Sequence, residues 1–148
     1  MWEVLGNPSR WPEFDVFLTK VRGSQGPAIA GQHLVGISRW TTLGIPLDVV
    51  EALPEQRLVM RVRTAPAVTE ELTFVLTPTT KGGTVITVAL VVEGLLARPA
   101  VPMLWLANGI NARVLDARSH RLTTARRRLA ARARLRGARP CFSRGQQP

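Results

Sequence analysis

The sequence predicts an α+β domain: a curved antiparallel sheet of about six strands gripping a long C-terminal helix, with short helices ahead of the strands. Three observations predict it. Residues 98–136 are the only segment long and periodic enough for a major helix. At about 100° per residue, Leu104, Asn108, Asn111, Leu115, Leu122, Ala125 and Leu129 fall along one stripe. Residues 15–94 break instead into short β-rich runs, which need such a helix over one face of their sheet. The connections between these runs are short, which favours an antiparallel meander over βαβ units.

In chain order, Met1-Trp2-Glu3-Val4-Leu5 reads as the end of an amphipathic helix closed by Gly6-Asn7-Pro8. A second helical turn follows and ends at Pro12, with Trp11 and Phe14 as its inward anchors. The strand signals are residues 16–21, 33–43, 47–53, 58–64, 68–77 and 84–93, and Gly44-Ile45-Pro46 breaks the chain between the second and third. Pro54-Glu55-Gln56 is a hairpin-length connection. Leu58, Met60 and Val62 alternate with Val59, Arg61 and Arg63, and Leu72, Phe74 and Leu76 share one side of the next run, so each of these strands has one buried face. Lys81-Gly82-Gly83 turns the chain into residues 84–93, which are apolar on both faces and are expected to be covered on both.

The net charge of +10 divides unevenly. Residues 1–112 hold nine basic and nine acidic side chains; residues 113–148 hold eleven Arg against Asp116 alone. The excess therefore belongs to the C-terminal segment and not to the domain. The expected division is a ligand-binding domain over residues 1–131 and a basic tail, expected to be disordered, over 132–148. The single cysteine, Cys141, excludes an internal disulfide and suits a reducing cytoplasm. No signal peptide is visible. The most apolar stretch, residues 85–97, falls short of the roughly 20 residues a bilayer span requires. A cytoplasmic protein without a membrane-spanning segment is the expectation.

A helix end running into Asn7-Pro8-Ser9-Arg10-Trp11-Pro12-Glu13-Phe14, a meander with Gly31 opening one strand, Gly82-Gly83-Thr84 leading into a long apolar strand, and a closing helix with a Leu stripe occur in this order. Together they resemble the START-like or helix-grip superfamily, in particular its bacterial polyketide cyclase/dehydrase-like (SRPBCC) members. The resemblance spans residues 1–131 and implies a cavity between sheet and helix for a hydrophobic or amphipathic small molecule. Members are variously carriers, hormone binders and cyclases, and they share no catalytic residue that can be carried over. Family members begin with a strand ahead of the first helix, whereas this sequence starts inside that helix. The expectation is an internal start or a truncated chain, with backbone donors and acceptors exposed at the sheet edge where that strand would lie.

Candidate chemistry is sparse. Asn108 and Asn111 interrupt the apolar stripe, either as polar anchors inside the cavity or as amides bonded to backbone where Asn108-Gly109 breaks the helix. Trp40, Met60, Phe74 and Leu104 are the expected cavity walls, on alternation and resemblance. Glu70, Glu71 and Glu93 are candidates for one buried carboxyl, against the commoner role of solvated acids near strand ends. His33 and His120 stand outside any nucleophile–base constellation and read as structural or surface residues. No metal-ligand spacing and no phosphate-cradling loop occurs, and no cofactor is expected.

The expected function is therefore binding of a lipid-like or polyketide-like molecule, as a carrier or cyclase-like protein, with binding favoured over catalysis. An alternative uses the arginine run, Arg126, Arg127, Arg128, Arg132 and Arg134, as an anion-binding module on nucleic acid or an anionic membrane surface. With Phe142 the only aromatic near that run, base stacking has little to work with.

Overall fold

The structure, a computed structural model, describes residues 1–65, 67–80 and 83–137, the side chains at 122, 126, 127 and 131–137 excepted. Helix α1 (Trp2–Leu5) leads into a 3₁₀ segment (Pro8–Glu13). Six strands follow: β1 (Leu18–Arg22), β2 (His33–Ser38), β3 (Gly44–Leu53), β4 (Arg57–Ala65), β5 (Val68–Pro78) and β6 (Thr84–Glu93). Helix α2 (Ala97–Gly137) closes the described chain. The strands form one antiparallel meander in sequence order, so the fold is the α+β arrangement of curved sheet, long C-terminal helix and short N-terminal helices.

The 3₁₀ segment is held by its own chemistry. The Asn7 side chain caps it by accepting from the backbone N–H of Ser9 at 3.2 Å. Pro12 lies inside the segment, where the sequence had suggested a stop. Trp11 and Phe14 are buried, and Trp11 Nε1 donates to the Leu5 carbonyl at 2.8 Å, locking the two N-terminal turns together.

The sheet bends because its ladders slip. Register shifts fall between Leu18 and Lys20, between Val49 and Glu51, and between Val62 and Ala65. An extra residue on one strand increases local twist and bends it. On the inner face Leu47, Val49, Leu58, Met60, Leu72, Phe74 and Leu76 are buried. Val59, expected on the wet face, is buried as well and lies opposite Glu51 at one of these shifts.

Two boundaries and one face differ from expectation. Strand β2 stops at Ser38, whose hydroxyl accepts from the N–H groups of Trp40 and Thr41, both at 3.3 Å, and so turns the chain. Strand β3 runs through Pro46, opposite Val35, where a break was expected. The β3–β4 ladder begins only at Leu47, so the missing N–H of Pro46 costs that ladder no bond. The outward residues of β6, Val85, Thr87, Ala89 and Val91, are exposed, not covered. Strand β6 stands at the end of the strand order, unpaired on its outer side among the described residues.

The chain divides into two compact units, Met1–Leu115 and Asp116–Pro148. In the first unit Leu104, Ala107 and Leu115 of α2 are buried. In the second, Ala125 and Leu129 are exposed, Leu129 at 65%. Asn108-Gly109 does not break the helix, which is continuous through both residues. No helix among the described residues is long and apolar enough to cross a membrane.

Candidate functional site

Between the inner sheet face, the 3₁₀ segment with its following loop, and residues 104–115 of α2 lies a cavity of about 80 Å³. Its walls are largely apolar, among them Trp11, Phe14, Leu47, Met60, Leu72, Phe74, Leu104 and Leu115. Four polar side chains interrupt them: Asp15, Glu70, Asn108 and Asn111. One water needs about 10–15 Å³, so this space admits several waters or a ligand of a few heavy atoms without any rearrangement.

Of the six residues expected to line a cavity, Met60, Phe74, Leu104, Asn108 and Asn111 do so. Trp40 does not. It sits in the β2–β3 turn at 75% exposure, because the Ser38 hydroxyl ends the strand two residues before it. Of the three candidate acids, Glu70 alone enters the cavity. Glu71 faces the other side of β5, where Arg61 Nη2 donates to it at 3.0 Å, and Glu93 is an exposed strand end. The period of two that aligns Leu72, Phe74 and Leu76 also reaches Glu70, so the signal for it was present in the sequence. Asp15 was missed, because it lies in a loop where no periodicity operates.

The polar groups are tied to one another. Glu70 is only 5% exposed and accepts hydrogen bonds from the Thr64 hydroxyl and, at 3.5 Å, from Asn108 Nδ2. The same Asn108 nitrogen donates to the Leu104 carbonyl at 3.0 Å, one turn back along α2. Asn111 Oδ1 accepts from the Val16 N–H at 3.0 Å, fastening the loop after the 3₁₀ segment to the helix. Asp15 accepts from the Phe17 N–H at 2.8 Å, and Asn111 also donates to it. Both asparagines face the cavity, and each bonds backbone.

Desolvation dominates the ionisation of both acids. Burial pushes the Glu70 carboxyl above the ordinary glutamate value, the Thr64 and Asn108 hydrogen bonds oppose this, and the Asp15 charge adds to it. Burial likewise raises Asp15, against hydrogen bonds from Phe17, Asn111 and Leu18 and the nearby Arg39 guanidinium. Arg39 is itself spent on backbone, donating to the Val16 and Leu18 carbonyls at 3.1 and 2.8 Å. The cavity thus presents two carboxyls whose charged forms are disfavoured, and no cationic side chain among the described residues lines it.

The remaining candidates lie elsewhere. His33 is exposed on the sheet, its Nδ1 at 2.6 Å from Asp48 Oδ1. His120 is exposed on α2, 3.6 Å from Asp116. No cluster of three or more His, Cys, Asp or Glu among the described residues could hold a metal ion. Arg128 is exposed, whereas the side chains of Arg126, Arg127, Arg132 and Arg134 are not described, and Cys141 lies outside the described residues. Comparison with protein-family models, with curated proteins and with solved structures finds no match.

Proposed function

We propose that the unit Met1–Leu115 binds a small amphipathic molecule in the cavity between sheet and helix, as a carrier or cyclase-like protein of the kind the sequence resembles. The observation that carries this reading is the placement of Glu70, buried and held by Asn108, within a cavity otherwise walled by Leu, Met, Phe and Trp side chains. Apolar walls provide affinity through removal of surface from water, at about 25 cal/mol per Å² before the costs of association. A few fixed polar groups set orientation. The raised carboxyls of Asp15 and Glu70 also supply the acid–base groups that turnover would need, so the arrangement supports binding first and leaves room for cyclase-like chemistry. A lipid-sized ligand requires the cavity to widen beyond its present volume.

Native mass spectrometry of the purified full-length protein tests the reading. A co-purifying lipid-like or polyketide-like mass, retained when residues 132–148 are deleted, is the expected result. A protein that stays bare and takes up no added apolar ligand would overturn it.

The second reading, anion binding through the arginine run, is favoured by the exposure of Arg128 on α2. It requires salt-sensitive binding to DNA or anionic vesicles that disappears when residues 132–148 are removed.

A further inference from the structure

The four polar side chains in the cavity do not form a neutral set. Two are carboxyls, Asp15 and Glu70, and two are carboxamides, Asn108 and Asn111. Asn108 directs its amide nitrogen to Glu70 and to the Leu104 carbonyl, which accounts for both of its N–H groups. Asn111 donates to Asp15. Trp11 Nε1, the remaining N–H on the wall side chains, is committed to the Leu5 carbonyl. Among the described residues nothing donates to Asn108 Oδ1. Each carboxylate, with about four lone-pair sites, keeps acceptor capacity beyond the donors it has. The protein's donors are thus largely used within the protein, and what faces the cavity is oxygen.

Charge points the same way. Asp15 and Glu70 share the cavity with no cationic side chain among the described residues in its lining, and Arg39, a cation near Asp15, is turned to backbone carbonyls. A ligand carboxylate entering this space would meet two acids and no counter-charge. A neutral hydroxyl would find acceptors but no charge to offset. A protonated amine would supply both the missing donors and the missing positive charge, and a buried charge is tolerated when it is paired and hydrogen-bonded.

We infer that the ligand of this cavity is a small apolar amine, its ammonium seated between Asp15 and Glu70 and its hydrocarbon part against the walls formed by Phe14, Leu72, Phe74 and Leu104. This rests on the cavity-binding reading above and narrows its ligand class.

The test uses three probes of one size, n-butylamine, n-butanol and butyrate, titrated at neutral pH into the full-length protein. The readout is the side-chain amide NMR signals of Asn108 and Asn111, which confines detection to the cavity. The expected order is butylamine, then butanol, then butyrate, with butylamine at least about tenfold tighter than butyrate, the scale of one charge-assisted hydrogen bond. Glu70→Gln, close to isosteric, is expected to weaken butylamine about tenfold and to leave butanol within about twofold; Asp15→Asn repeats the comparison should that variant misfold. Butyrate binding as tightly as butylamine, or an unaffected butylamine affinity in both variants, overturns the amine assignment while leaving the cavity reading intact. Failure of all three probes to move the Asn108 and Asn111 signals overturns both.

Discussion

Filling the cavity separates a binding site from a packing accident. Ala107 is buried on α2 and lines the space, so Ala107→Leu directs a larger side chain into it without breaking the helix. An unfilled cavity costs about 24 cal/mol per Å³, which for about 80 Å³ amounts to about 2 kcal/mol. The three added carbons would contribute up to about 2.4 kcal/mol of burial. Some of this is offset by strain where the new side chain fits imperfectly, and by loss of any water that the four polar groups hold. The expected net gain is about 1–2 kcal/mol, or a rise in melting temperature of about 2–8 °C for a chain of this size. Thermal unfolding followed by circular dichroism measures it, alongside butanol binding, which should be lost. A gain in stability bought with lost function is the pattern expected where a site was kept open. A lowered melting temperature with butanol binding unchanged would refute the reasoning, because it would mean that the space is not where the side chain went.

Glu70→Gln also has a pH signature. A carboxyl raised in the folded state contributes stability that is fully present below its unfolded value, near 4.3 for glutamate, and that is lost as pH rises through the folded value. The melting-temperature advantage of the variant over wild type should therefore be near zero below pH 4 and grow as the pH is raised. An advantage that shrinks with rising pH would show the opposite shift. Trp11→Phe keeps an aromatic ring but removes the indole N–H and part of the buried ring, leaving the Leu5 carbonyl without its 2.8 Å donor, and should cost at least about 1–3 kcal/mol in urea unfolding. An unchanged midpoint would show that bond to be dispensable. Gly94 has φ +119, and a Cβ there would fall on the Ala67 carbonyl oxygen. Gly94→Ala should destabilise by roughly 1–3 kcal/mol in the same assay.

Most of the fold could be read from residue patterns, because the patterns report burial. Alternation at Leu58, Met60, Leu72 and Phe74 placed two strands, and the stripe of Leu104, Asn108, Asn111 and Leu115 placed the inner face of α2. The misreadings arose where a local hydrogen bond or a neighbouring ladder decides. Trp40 has strand composition on both sides, but the Ser38 hydroxyl turns the chain ahead of it. Pro46 looks like a stop, yet it sits beyond the β3–β4 ladder and is tolerated. Leu129 continues the helical period yet is exposed, since periodicity marks one face of a helix and not what covers it. In the site, the asparagines and Glu70 were accessible through periodicity. Asp15 was not: its position follows from the Asn111 contacts that fasten its loop to α2, and no spacing in the sequence encodes them.

The central claim, that sheet and helix enclose a space able to take a ligand, is tested most directly by mapping backbone-amide NMR shifts of the full-length protein on titration with butanol. The account expects saturable shifts concentrated at Trp11, Phe14, Asp15, Leu72, Phe74 and residues 104–115. Shifts confined to residues 116–137, or uniform and non-saturating across the chain, would contradict it.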